Sequence, residues 1–316
     1  MAGFIAYRLL YVLPISIGVS LICFALTYMA PGDPASSIIP DDASPEVAAQ
    51  IRAAYGFDRP LPIQYLLWLW RVLSGDFGVS LSTGRPVTDE VIPAMMNTLS
   101  LAGGGALLAA FVGITLGTLA AYRTGKLSDR AISAVGIAGM SVPQYWLAMV
   151  MVAIFAVELG VLPASGMGEP GDDFGRKVSF YVLPILTLAT VPAGIIARSV
   201  RSTVSETLQQ EFVQALEAKG LSAWRIFLHV AKNAAGPALA VIGLQFANLL
   251  GGSILVETVF SWPGTGFLLN AAIFMRDLPV MQATVLLLAM FFIVANLLVD
   301  ILQMLFDPRV KTARRG

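Results

Sequence analysis

Long apolar stretches separated by polar connections dominate this chain. Six of them are long enough to cross a hydrocarbon core of about 30 Å, which takes roughly 20 helical residues. They fall at Leu9–Met29, Thr98–Ala121, Ile132–Leu159, Phe180–Ala197, Ala238–Val256 and Ala283–Phe306. The pattern predicts an all-α polytopic membrane protein with six transmembrane helices. The third stretch is long and contains Pro143, which removes a backbone donor, so a kink or tilt is expected there. The first stretch is longer than the apolar part of a secretory leader and only Arg8 precedes it as a basic residue, so it reads as a retained span.

Two polar regions break this rhythm. Between Arg198 and Pro237 lie about 40 residues, too many for a simple connection between helices. Phe212, Ala215, Leu216 and Lys219 recur there at helical spacing, and Gly220 offers the left-handed position that ends a helix. Ser222 is placed to cap a second short helix bearing Trp224, Phe227 and Leu228. A helix pair hung from two spans suits the docking of a soluble partner. The other region, Ala30 to Met96, reads as folded. Ser44 and Pro45 match an N-cap and first helical position, with Gly56 past the end, and Ile63 to Leu73 form a second apolar helix. Tyr65, Trp68 and Trp70 in it fit two roles, an aromatic belt at the membrane surface or packing on the spans.

Lys and Arg set the orientation. With the N-terminus inside, 13 of the 20 lie on the cytoplasmic side, and the short outer loops hold only Arg176, Lys177 and Arg276. Both termini are therefore expected inside. The chain then divides into an N-terminal span with a folded outer segment (1–96), a five-span core (97–306) containing the loop 198–237, and a cytoplasmic tail (307–316).

Composition agrees and narrows the chemistry. Hydrophobic residues make up 57% and charged residues 13%, against about 25% charged in a soluble domain. Net charge is zero, which gives no reason to expect a nucleic-acid partner. The single cysteine, Cys23, sits in an apolar run and the single histidine, His229, in the polar loop, so neither a disulfide, a metal cage nor a catalytic set is predicted. There is no GxxxxGK[ST] phosphate loop, and Gly103-Gly104-Gly105 reads as tight helix packing. Among the polar side chains within spans, Gln144, Gln245, Asn248 and Asn296 stand out. Gln245 and Asn248, three apart, share a helix face, with Gly252 a turn beyond. They fit either a polar pathway for a hydrophilic solute or hydrogen bonds between helices. Glu158, Glu257 and Asp300 all lie toward span ends, which argues against an ion-coupled carrier needing an intramembrane carboxylate. Two classes remain, a subunit driven by a partner and a self-sufficient channel. The docking loop favours the first, and co-purification of an ATPase in mild detergent discriminates them.

Several motifs in order carry a family resemblance. In the polar loop these are Glu211-Phe212-Val213, Ala218-Lys219-Gly220-Leu221-Ser222, His229, Asn233 and Pro237. Elsewhere they are Pro31-Gly32-Asp33-Pro34, Gly75-Asp76-Phe77-Gly78-Val79-Ser80, Asn97-Thr98-Leu99 and Leu162-Pro163-Ala164-Ser165-Gly166. Glu257 to Gly264, Arg276-Asp277-Leu278-Pro279 and Asp307-Pro308-Arg309 complete the set. The chain resembles the permeases of bacterial ABC importers, in the dipeptide, oligopeptide and nickel branch. Gln214, Leu216 and Ala231-Lys232 depart from the usual loop motif.

That resemblance implies a type I ABC importer permease fold in the bacterial inner membrane. It also implies a second, similar permease, two cytoplasmic ABC ATPases and an extracytoplasmic solute-binding protein as partners. ATP and Mg would be used by the ATPases, with no cofactor on this chain and no enzymatic activity of its own. Glu211, Phe212, Ala215, Leu216, Lys219, Gly220, Leu221, Ser222, His229 and Asn233 would form the ATPase-coupling loop. ATPase closure would draw the two coupling loops together and rock the spans outward, and hydrolysis would reset them. Di- or oligopeptides are the implied solutes, with nickel complexes, opines and oligosaccharides as alternatives of the same architecture.

Overall fold

The computed structural model describes residues 2–29, 39 and 43–306. The Pro31–Pro34 and Asp307–Arg309 motifs and the tail 307–316 lie outside them. Eleven α-helices account for most of the described chain, with no strand among the described residues. In order they are α1 (Ala2–Met29), α2 (Pro45–Tyr55), α3 (Leu61–Leu73), α4 (Val87–Tyr122), α5 (Leu127–Ser141) and α6 (Gln144–Met151). There follow α7 (Phe174–Leu208), α8 (Glu211–Ala218), α9 (Ala223–Val259), α10 (Thr265–Met275) and α11 (Leu278–Phe306).

Four helices, α4, α7, α9 and α11, are long and apolar enough to cross a membrane. The expected third span is not one helix. α5 and α6 meet at 98°, and α6 runs on into a π-helical stretch, Val152–Glu158. Pro143 is the cause. Val142 before it is forced to extended backbone (ψ 126°), which ends α5, and Pro143 then becomes the N-cap of α6. Counted as one span, the bent pair makes five. The first expected stretch, Leu9–Met29, falls on α1, an unbroken 28-residue helix whose described apolar run is Leu10–Ala25. Six spans are therefore not established by length and composition among the described residues.

The chain forms two compact units, with α4 and α11 contributing to both. The first comprises residues 1–97 and 263–293. In it the sequence signals for α2 hold. Ser44 Oγ accepts from the Val47 amide at 3.3 Å, and Gly56 adopts a left-handed φ of 76°. α3 packs on α1 through aromatic side chains. Phe24 meets Tyr65 edge-on at 5.6 Å and Trp68 at 5.8 Å, and the Ser20 and Tyr65 hydroxyls share a 2.7 Å hydrogen bond. Leu66, Trp70 and Leu73, spaced along the opposite face of α3, are exposed. Of the three aromatic residues, Tyr65 and Trp68 thus pack on α1, and Trp70 faces out.

The second unit comprises residues 98–262 and 294–316. Half of the apolar stretch of α7 is buried within this chain alone, against a third or less in the other spans. It therefore forms the centre of this unit, packed by α5, α6 and α9. One buried cluster joins Leu101, Leu183, Leu188, Leu250, Phe260 and Trp262; a second joins Ile196, Val200, Val204, Val213, Val230 and Ala234. Gly104 and Gly105 lie close to Ile185 and Leu188 of α7, as tight packing requires, whereas Gly103 faces open space.

Candidate functional site

The polar loop is built from three helices. α7 runs past the end of its continuous apolar stretch at Ala197 for a further three turns to Leu208. Gln210 in extended backbone then starts α8, whose first residue, Glu211, places a negative charge at the positive end of the helix dipole. α8 ends in a paired cap. The Gly220 amide donates to Glu217 O at 2.8 Å and the Leu221 amide to Leu216 O at 3.2 Å, with Gly220 at φ 71°. Gly220 thus holds the left-handed position its sequence context predicted. Ser222 occupies the next N-cap in extended backbone, but its hydroxyl makes no capping bond. The expected second short helix is not separate. Trp224, Phe227 and Leu228 lie on the first turns of α9, which continues unbroken through Pro237 to Val259. Freed backbone groups at prolines within membrane helices are commonly re-satisfied locally, so Pro237 need not end the helix.

Burial separates anchor from surface. Val213, only 2% exposed, is the deepest residue of α8 and joins Val204, Val230 and Ala234, with Phe212 half-buried beside it. Helical spacing alone missed Val213. Glu211, Ala215 and Lys219, four apart, form an exposed row, and Gly220, Ser222, His229 and Asn233 are exposed as well. Leu216 and Leu221 are half-buried. Asn233 Nδ2 donates to His229 O at 2.8 Å, a contact within α9. Trp224, 65% exposed, stacks on Phe227 at 5.2 Å, and Phe227 reaches Tyr122 at the end of α4 at 6.4 Å. The surface combines a row of opposite charges with an unburied aromatic, the composition that suits an anchor for a partner.

A brace not singled out in the sequence stands behind this surface. Asp129, in the first turn of α5, is buried and accepts from Arg201 Nε at 2.5 Å and Nη2 at 2.8 Å. The Gly125 amide donates to it at 3.0 Å. The Arg201 guanidinium, with the Gly125 amide, holds the Asp129 carboxyl down at about 2. Because this pKa is depressed, the stabilisation is complete above the unfolded value near 3.9 and is lost only as pH falls through about 2. The pair is a brace between α5 and α7 at physiological pH, and not a pH switch.

The polar span residues fall on three helices of the second unit. Gln144 is half-buried at the first position of α6, Gln245 is buried on α9, and Asn296 is half-buried on α11. Asn248 is exposed on α9. Gln245 and Asn248 therefore differ in environment despite their spacing. The exposed side continues through Gly251 and Gly252, which have nothing within 4 Å of a built Cβ.

The family model described as "Binding-protein-dependent transport system inner membrane component" matches residues 113–312. The chain belongs to that family. The corresponding N-terminal model of binding-protein-dependent transport system membrane components matches residues 1–102. This member of the family is 37% identical, over 98% of its length and 99% of the relative's, to the dipeptide transport system permease protein DppB of Escherichia coli. It is 36% identical over the full length of both chains to the metal-staphylopine import system permease protein CntB of Staphylococcus aureus. It is 37% identical to the glutathione transport system permease protein GsiC of Salmonella choleraesuis, over 98% of its length and 99% of the relative's. Among solved structures, the inward-facing MetNI methionine ABC transporter matches with a TM-score of 0.57 at 18% identity, covering 69% of this chain and 96% of that one. At that identity the likeness concerns the fold alone. The fold is that of ABC importer permeases, and the chain is a multi-pass inner-membrane protein.

The motifs of this transport-system component also pair in space. Ser80 Oγ donates to Asp277 Oδ2 at 2.6 Å, which joins the Gly75–Ser80 motif to the Arg276–Pro279 motif within the first unit. Asn97 Nδ2 donates to Pro263 O at 2.9 Å in the same unit. In the second unit, Thr98 Oγ1 donates to Glu257 Oε1 at 2.8 Å, and the Gly166 amide donates to Phe260 O at 2.8 Å. Trp262 is fully buried against the edge of Tyr181 at 4.5 Å. Residues far apart in sequence are tied through their polar atoms, which no periodicity records.

Proposed function

We propose that this chain is one of two permease subunits that together form the translocation pathway of an ATP-driven importer, and that α8 with the start of α9 is its coupling element. Family membership supports the transport role. The observation behind the coupling role is the anchored surface itself, a short helix fixed by Val213 with its charged row and Trp224 exposed. ATP and Mg would act on two cytoplasmic ATPases, and this chain would bind no cofactor and catalyse no reaction. α8, packed against both α7 and α9, would pass ATPase closure to two spans at once, and the Asp129–Arg201 brace would carry it to α5. Gln144, Gln245, Asn248 and Asn296 would contact the solute. Di- or oligopeptides handed over by an extracytoplasmic binding protein are the proposed cargo, by likeness to the dipeptide and glutathione permeases. The metal-staphylopine relative supports a second cargo class, metal complexes of small chelators. Binding of peptides and metal chelates to the cognate binding protein decides between them.

Two experiments test this reading. Gly220 has open space around a built Cβ, so its φ of 71° is the only obstacle to a side chain. Gly220→Val is expected to strain the turn by about 1–2 kcal/mol while leaving insertion intact. With Glu211→Ala, it should abolish the rise in ATPase activity on adding loaded binding protein. Wild-type stimulation and uptake in both variants would remove the coupling assignment. Orientation is checked by cysteine labelling in a Cys23→Ser background, with both termini proposed cytoplasmic. Ser74→Cys is expected to react with an impermeant thiol reagent in intact spheroplasts, and Ser222→Cys only after permeabilisation. The opposite pattern would invert the topology.

A further inference from the structure

A cavity of about 200 Å³ opens in the second unit along α4, α5 and α7, and of its lining only Arg201 has a role in the reading above. Its lining is divided. Ile132, Ile137 and Met140 of α5 give it an apolar wall, and Gly136 and Gly194 lie where α5 crosses α7. Arg198 and Arg201 form the polar part. Arg198 is the first charged residue after the apolar run of α7 and is exposed, while Arg201 is engaged by Asp129. The connection between two lining residues, Ala120 and Ile132, adds Arg123, Lys126 and Arg130, all exposed, against the single acid Asp129. A cavity that is apolar along membrane helices and cationic where the span ends matches an amphiphile with an anionic head. Basic pockets between transmembrane helices take the head groups of acidic lipids for this electrostatic reason.

We infer that this cavity is a binding site for an anionic phospholipid, with the phosphate on Arg198 and part of an acyl chain along Ile137 and Met140. The lipid would fill the angle between α5 and α7 beside the Asp129–Arg201 brace. The site is independent of the transported solute. Free phosphate satisfies the arginines but leaves the apolar wall without a partner, which is why the lipid is the assigned occupant.

The test uses the intact complex extracted in mild detergent, reconstituted with equal amounts of phosphatidylglycerol and phosphatidylcholine, and examined by native mass spectrometry. Wild type is expected to retain phosphatidylglycerol preferentially, with an excess of inorganic phosphate leaving it in place. Arg198→Gln should lower that preference about fivefold, the weight of one basic residue near a membrane surface. Ile137→Trp, a change at an exposed position, should reduce retention of both lipids by filling the apolar part. Thermal melting of each variant reports its folding separately. Equal retention of the two lipids by wild type, or an unchanged preference in a folded Arg198→Gln, would overturn the site. Displacement by inorganic phosphate would also overturn it in favour of a free-anion site. Absence of any retained lipid would show that a partner subunit covers the cavity, and would overturn it too.

Discussion

Replacing Asp277 by Ala is expected to leave little folded protein. Its carboxylate is buried between α10 and α11 and accepts from Ser80 Oγ at 2.6 Å, Ser82 Oγ at 2.8 Å and the Ser82 amide at 3.1 Å. Its other oxygen accepts from the Val280 amide at 3.3 Å, as the N-cap of α11. Deleting this one group strands the buried Ser80 hydroxyl and Val280 amide, each costing about 1–3 kcal/mol when left dry. Burial pushes the Asp277 pKa up, but the Ser80 and Ser82 hydrogen bonds outweigh it and hold the carboxyl below its ordinary value. A depressed group gives its full stabilisation above the unfolded value near 3.9 and loses it only as pH falls through the folded one. Asp277 should therefore contribute no change in melting temperature between pH 5 and 8. Asp277→Asn keeps an acceptor and should fall between wild type and Ala. Asp89→Ala, at an exposed position in the first turn of α4, is the control. Wild-type melting of Asp277→Ala in detergent would show that the 80–82 turn and α11 are held by other means.

Local chemistry made some of this fold legible in the sequence. The ends of α2 were readable because Ser44, Pro45 and Gly56 each act within a few residues, and Gly220 was readable for the same reason. The family motifs were readable as a set but not as pairs, because Ser80 and Asp277 meet across a separation of 197 residues. The third span shows a different limit. Pro143 predicted a kink, but only the extended Val142 turns a kink into a 98° break. In the loop, polarity suggested a free-standing helix pair, whereas α7 and α9 carry their helices far beyond their apolar runs. Asp129 was not legible as a brace because its partner lies on another helix, 72 residues away. Gln245 and Asn248 share a spacing but not an environment, since burial depends on neighbours that periodicity does not contain.

The glycines of α4 give the sharpest contrast between sequence and structure, and the second large effect. The visible cluster was Gly103-Gly104-Gly105, yet among the glycines of α4 the closest backbone approach lies at Gly113 and Gly117, a small-xxx-small pair facing α7. A Cβ at Gly117 would stand 2.5 Å from Ala197 O and 2.9 Å from Val200 Cβ. At Gly113 it would stand 2.7 Å from Ile196 Cβ and 3.0 Å from Ala193 O. A flexible side-chain tip can move aside, but a helix carbonyl moves only with its helix. Gly117→Ala is therefore expected to cost about 1–3 kcal/mol, the range for overpacking, and Gly117→Val more. Gly103→Ala meets nothing within 4 Å and should be neutral or stabilising, since alanine favours a helix over glycine by up to about 1 kcal/mol. Because Val200 and Val204 of α7 also anchor α8, a displaced α7 would shift the coupling surface with it. Purified Gly117→Ala should thus melt lower than wild type and show reduced ATPase stimulation by loaded binding protein, while Gly103→Ala shows neither change. Equal melting of Gly117→Val and wild type would mean that close approach at Gly117 does not hold α4 against α7.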